Sequence, residues 1–194
     1  MFCYTLCTIL GVTYVRWGRN ACPDTPGTQL IYSGRAGGAW WNSRGGGVEK
    51  LCLPGNPVYL NDTTTISTTL SGSSFVHGAE YQFSDGPNSN LNDNNVPCAV
   101  CYASTREIAI MIPATTECPS TWTREYYGYL TAESETNRRS SYTCVDVNPE
   151  AIENTSADGN GTLFYFVRSF CYTNGLDCPP YEHDRALSCV MCSK

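Results

Sequence analysis

The chain has 194 residues, of which 41% are apolar and only 15% charged, with a net charge of −6. It carries 12 Cys, 17 Gly, 11 Pro and 13 Tyr, a composition that excludes a coiled coil, a long helix or a charged disordered tail. The acidic balance excludes a phosphate-binding nucleic-acid module, which needs a basic face, and no apolar run approaches the roughly 20 residues of a membrane span.

Residues 1–11 form an apolar segment that reads either as the stub of a signal h-region or as part of the folded chain, and it has neither a basic n-region nor an A-x-A site. Cys3 and Cys7 within it are expected to pair with each other or with another chain. Period-2 alternation then predicts strands over 13–17, 29–33 and 79–83. The same signal recurs over 107–112, 126–131, 141–145, 162–168 and 187–191. Gly- and Pro-bearing stretches, such as 34–47, separate these runs. Only 149–154 reads as helical, and it is short. The expected class is all-β.

An even number of cysteines spread along the chain suits a disulfide framework in an oxidising space. The expected location is therefore secreted and extracellular. Two C-x-x-C pairs, Cys98 with Cys101 and Cys189 with Cys192, raise the alternative of zinc. Zinc ribbons bring such pairs within roughly 15–20 residues of each other, whereas these stand most of a domain apart. No metal and no other cofactor is expected. Sequons at Asn61, Asn154 and Asn160 each lie in a polar stretch that tolerates a glycan.

The chain repeats itself. Reading back from Cys22-Pro23 and from Cys118-Pro119, an alternating apolar run ends six residues before each cysteine. Tyr32-Ser-Gly34 then matches Tyr126-Tyr-Gly128, and Cys52 with Asn56-Pro57 matches Cys144 with Asn148-Pro149. Finally the two C-x-x-C pairs match. Ordered matches of this kind imply a tandem duplication, with β-subdomains over 12–101 and 108–192 and one compact unit over 12–194. The second half adds Cys171 and Cys178; the first carries a polar insert over 61–95.

These motifs resemble the C-terminal non-collagenous domain of type IV collagens, and more closely that of the short-chain, spongin-type collagens. The resemblance is carried by Cys98-Ala-Val-Cys101, Ile110-Met-Ile-Pro113, Cys118-Pro-Ser-Thr-Trp122 and Tyr127-Gly-Tyr129. Tyr14-Val-Arg-Trp-Gly-Arg19, Leu51-Cys-Leu-Pro54, Gly78-Ala-Glu-Tyr81 and Cys178-Pro-Pro-Tyr181 add to it. It implies two disulfide-stapled β-subdomains packed across a pseudo-twofold. It also implies nested bridges, Cys22–Cys101 and Cys52–Cys98 in the first half. In the second half these become Cys118–Cys192, Cys144–Cys189 and Cys171–Cys178. The family's role is matrix assembly, so the implied partners are further copies of the chain or matrix proteins. No Gly-X-Y repeat lies in these residues, so nothing collagenous enforces a trimer.

Catalytic motifs are missing from the sequence. His77 and His183 are the only histidines, and neither G-x-S-x-G nor H-E-x-x-H occurs. Gly45-Gly-Gly47 lacks the Lys-Ser/Thr of a phosphate loop. The expectation is a non-enzymatic module. The most suggestive feature is the glycine-rich stretch 34–47, where Trp40 and Trp41 stand beside Arg35, Asn42 and Arg44. Adjacent strand-like residues face opposite ways, so at most one Trp belongs to a core. The other would serve as an interface anchor or as a stacking surface for a sugar ring. A glycan-binding, lectin-like protein on the same fold is thus the alternative function.

Overall fold

A computed structural model describes residues 11–59 and 74–194. Residues 1–10, with Cys3 and Cys7, and 60–73, with Asn61, lie outside the described residues. The first half contributes β1 (Val12–Trp17), β2 (Thr28–Gly38), β3 (Leu51–Pro54), β4 (His77–Tyr81) and β5 (Pro97–Ala103). The second contributes β6 (Ala109–Pro113), β7 (Thr123–Ala132), β8 (Thr143–Asp146), β9 (Thr162–Phe166) and β10 (Ser188–Ser193). The protein is all-β, with a mixed sheet.

Three expectations need correction. Strands β3 and β5 lie outside the predicted runs: β3 is only four residues long, and β5 is a continuous apolar run between β1 and β2 that shows no alternation. The predicted loop 34–47 begins as strand, since Gly34–Gly37 pair with β3 and Gly37–Gly38 with β4. The stretch 149–154 is not helical. Its amides are used across the molecule instead: Glu150 N donates to Gly18 O at 2.7 Å and Ile152 N to Asn95 O at 3.1 Å. The only helical turn among the described residues is Ser89–Leu91.

The two longest strands organise the sheet. Strand β2 pairs first with β5, then with β3, then with β4. Strand β7 pairs first with β10, then with β8, then with β9. In each, a glycine marks the change of partner. A β-carbon on Gly34 would lie 1.8 Å from Leu53 O, and one on Gly128 1.9 Å from Val145 O. Backbones approach there so closely that no side chain fits. The halves join where β4 lies parallel to β9 and where β1 meets β8 at Trp17 and Val145.

Five disulfides staple this sheet: Cys22–Cys101, Cys52–Cys98, Cys118–Cys192, Cys144–Cys189 and Cys171–Cys178. None of them joins 12–101 to 108–192. In the chain-entropy model each of the four long-loop bridges contributes about 4 kcal/mol.

The sequence suggests a separate small core for each half, and the structure differs. One apolar cluster joins Tyr14, Ala99, Cys101 and Ala103 to Tyr126, Leu130, Cys144 and Cys189. The other joins Ala36, Ala79, Tyr81, Phe83 and Val96 to Val145 and Phe164. Both draw on both halves. A polar network crosses the same boundary. The buried carboxylate of Glu125 accepts from Tyr14 Oη at 2.8 Å, Thr28 Oγ1 at 3.3 Å and Ser193 Oγ at 2.5 Å, with Arg106 Nε at 3.5 Å. Arg16 grips Asp146 Oδ2 through Nε at 2.8 Å and Nη2 at 2.7 Å. Buried carboxylates persist in a protein interior when several donors replace the lost water.

Candidate functional site

Beyond Gly38 the chain leaves the sheet and crosses to the other half. Thr162 Oγ1 donates to Ala39 O at 2.6 Å and Trp41 N to Gly161 O at 2.9 Å. On the far side Arg138 N donates to Trp41 O at 2.9 Å and Ser141 N to Val48 O at 3.1 Å. The tryptophan loop is thus tied to β9 and to the 133–142 segment. Between these walls opens a cleft of about 1310 Å³, lined also by Tyr165–Phe170 and by His183 and Asp184.

Two titratable groups line it deep down. Lys50 is buried, with Nζ 2.8 Å from both Ser140 Oγ and the Ser141 carbonyl and 4.9 Å from the centre of the Phe164 ring. Burial pulls its pKa from the usual lysine value down to about 8, against the opposing pull of Glu133 and Glu49. Burial likewise pushes the Glu133 carboxyl up, although it accepts from Leu163 N at 2.8 Å and Asn137 Nδ2 at 3.0 Å and feels Lys50. Amine and carboxyl are each displaced toward the neutral form, a pattern that marks sites as well as structural pairs.

The predicted residues divide. Trp40 and Trp41 pack edge to face, 5.4 Å between centroids, and both line the cleft. Trp40 is 39% exposed while Trp41 is half-buried. Arg44 lines the cleft too, but Asn42 and Arg35 do not. Arg35 belongs to β2, opposite Leu53, because that strand runs further than its sequence suggests. Sequence reasoning missed Lys50, Arg138 and Arg139. A signal existed for some of them: Lys50 is one of two lysines, and Arg138-Arg139 is the only adjacent basic pair.

The other sequence candidates lie elsewhere or act structurally. Asn154 and Asn160 are exposed, and Asn160 Nδ2 donates to Asp158 Oδ1 at 2.6 Å. His183 Nδ1 accepts from Cys171 N at 3.3 Å, with its ring against Tyr172. A carboxylate trio, Glu80, Asp93 and Asp158, gathers within 4.8 Å. Each member already serves the loops: Glu80 takes the Gly159 and Asn160 amides, Asp93 the Gln82 amide and Asp158 that of Asn160. A smaller apolar cavity of about 470 Å³ lies among Met111, Leu130, Val167, Phe170, Leu176 and Leu187. No helix among the described residues is long and apolar enough to cross a membrane. No protein-family model matches the chain.

Proposed function

We propose that the chain is a secreted, non-enzymatic module of extracellular assembly and adhesion, akin to the C-terminal non-collagenous domains of collagens. On this reading it consists of two tandem duplicated β-subdomains related by a pseudo-twofold. The matched partner changes along β2 and β7 support the duplication, as do nested bridges with loops of 79 and 46 residues against 74 and 45. Five disulfides and the exposed sequons support passage through an oxidising secretory route. Structural use of His183 supports a non-catalytic role.

The observation that carries assembly is an exposed apolar strip formed by β3 and the residue before β4. Leu51, Leu53 and Val76 are 45%, 36% and 53% exposed. Leu53 and Val76 close over Gly37, whose β-carbon would meet them at 2.9 and 3.1 Å. Exposed apolar surface of this kind on a stapled sheet suits burial against a second copy. Light scattering on the eluting protein should give a multiple of the chain mass, and Leu51→Lys with Leu53→Lys should reduce it to the single chain. A wild-type protein that stays monomeric at about 100 µM, far above the Kd of a stable interface, overturns this reading.

A second reading, glycan binding, is favoured by the cleft itself. It presents an exposed indole beside polar walls, the combination a sugar ring needs. Screening against a glycan array, with Trp40→Ala as the comparison, tests it.

A further inference from the structure

The arginines are distributed in a telling way. Of ten in the chain, six hold ion pairs: Arg16, Arg19, Arg106, Arg124, Arg168 and Arg185. The guanidinium groups of Arg35, Arg44, Arg138 and Arg139 make no ion pair, ring contact or hydrogen bond among the described residues. Three of those four line the same cleft. Its other cations are already committed. Arg168 is held by Asp184 at 3.1 Å and by Asp85 at 3.5 Å, and Lys50 faces the Glu133 carboxyl and two serine oxygens. What remains in the lining is three guanidinium groups without a partner among the described residues, against the carboxylates of Glu49 and Glu135, a local positive surplus in a molecule of net charge −6.

A guanidinium presents five donors in a planar fork that matches a carboxylate or sulfate. These forks share the cleft with the exposed indole, and the Arg138 amide ties its backbone to the Trp41 carbonyl. A ligand that satisfies both must offer a flat, C–H-rich face together with anionic groups. The cleft volume of about 1310 Å³ exceeds the usual 300–1,000 Å³ of a small-molecule site and suits several linked rings. Nucleic acid fits poorly, since its affinity comes from many phosphate contacts on a broadly basic face.

We propose that this cleft binds an acidic oligosaccharide, with one ring against Trp40 and its anionic groups on Arg44, Arg138 and Arg139. The proposal rests on the glycan-binding reading and adds the charge of the ligand. Sulfate and uronate groups share the required chemistry, so the test separates them. Titration calorimetry on the whole chain would use a heparin octasaccharide, an oligogalacturonate and neutral maltoheptaose as probes. At least one acidic probe should bind ten-fold or more tightly than the neutral one, with affinity falling as salt rises from 50 to 300 mM. Arg138→Gln with Arg139→Gln should weaken it at least ten-fold, at unchanged circular dichroism and melting temperature. Arg124→Gln, at the start of β7, ion-paired with Glu117 and outside the cleft lining, should leave it unchanged. Equal binding of maltoheptaose would overturn the charge assignment and leave the glycan reading standing; binding by none of the probes would sink both. An Arg124→Gln loss as large as that of the double variant would reduce the effect to general surface charge, and the site assignment would fail.

Discussion

Lys50 owes its chemistry to its surroundings. Its pKa in the folded protein, about 8, lies below the ordinary 10.5. Below pH 8 the amine is charged in both states, and the folded state bears the full cost of burying it. Between 8 and 10.5 the unfolded chain binds a proton that the folded chain does not, so stability rises with pH. Relative to Lys50→Met, the wild type should gain about 2 kcal/mol between pH 7 and 9.5. Denaturant unfolding with the disulfides intact measures this, and a flat difference would count against it. Tyrosines act in the opposite sense. Burial pushes the phenols of Tyr14, Tyr81 and Tyr126 above their ordinary 10, so stability present below pH 10 is lost as pH rises beyond it. In an absorbance titration those three should ionise only as the protein unfolds. At this scale the sequence was half legible. Tandem tryptophans in a glycine-rich loop announce themselves by their side chains. Lys50 and Glu133 do not, because their character comes from Phe164, Leu163 and Ser141, which are distant in sequence.

At the scale of elements, alternation found the half-exposed strands and missed β5, whose burial on both sides removes the period. It also could not show where a strand changes partner. Gly34 and Gly128 stand out in the sequence as members of a Tyr-x-Gly repeat, but only the register explains the glycine. At Gly128 an added β-carbon would sit 1.9 Å from Val145 O and 2.6 Å from Val147 N, so β7 and β8 would have to separate. Gly128→Ala should therefore destabilise by about 3 kcal/mol or more. Gly78 provides the contrast, since nothing lies within 4 Å of its β-carbon position. Gly78→Ala should be neutral or slightly stabilising, by reducing the freedom of the unfolded chain. Midpoints in guanidinium without reductant decide both. A cost below 1 kcal/mol at Gly128 would mean that the sheet opens more easily than its register indicates.

For the whole molecule, the repeat of cysteines and prolines suggests two bodies, each closed by its own bridges. The bridges respect that division and the packing does not. Repeats in sequence record what each half has in common; the pairings of β4 with β9 and β1 with β8 join unlike strands and leave no periodic trace. If either half were removed, Tyr81, Phe83 and Val96 would lose Phe164 and Val145. Glu125 would lose Tyr14 and Thr28 and be left as a buried carboxylate with fewer donors, a loss that costs several kcal/mol. Disulfides restrict the unfolded chain of each half, but they supply no substitute for those contacts. The halves should therefore unfold together, in one calorimetric transition whose van't Hoff and calorimetric enthalpies agree. A fragment of residues 11–107, oxidised with Cys22–Cys101 and Cys52–Cys98 intact, should show no cooperative melting and no protected amides. Two resolved transitions in the whole chain, or a folded fragment, would instead mean that each half carries a sufficient core of its own, and that the shared clusters are only an interface between finished domains.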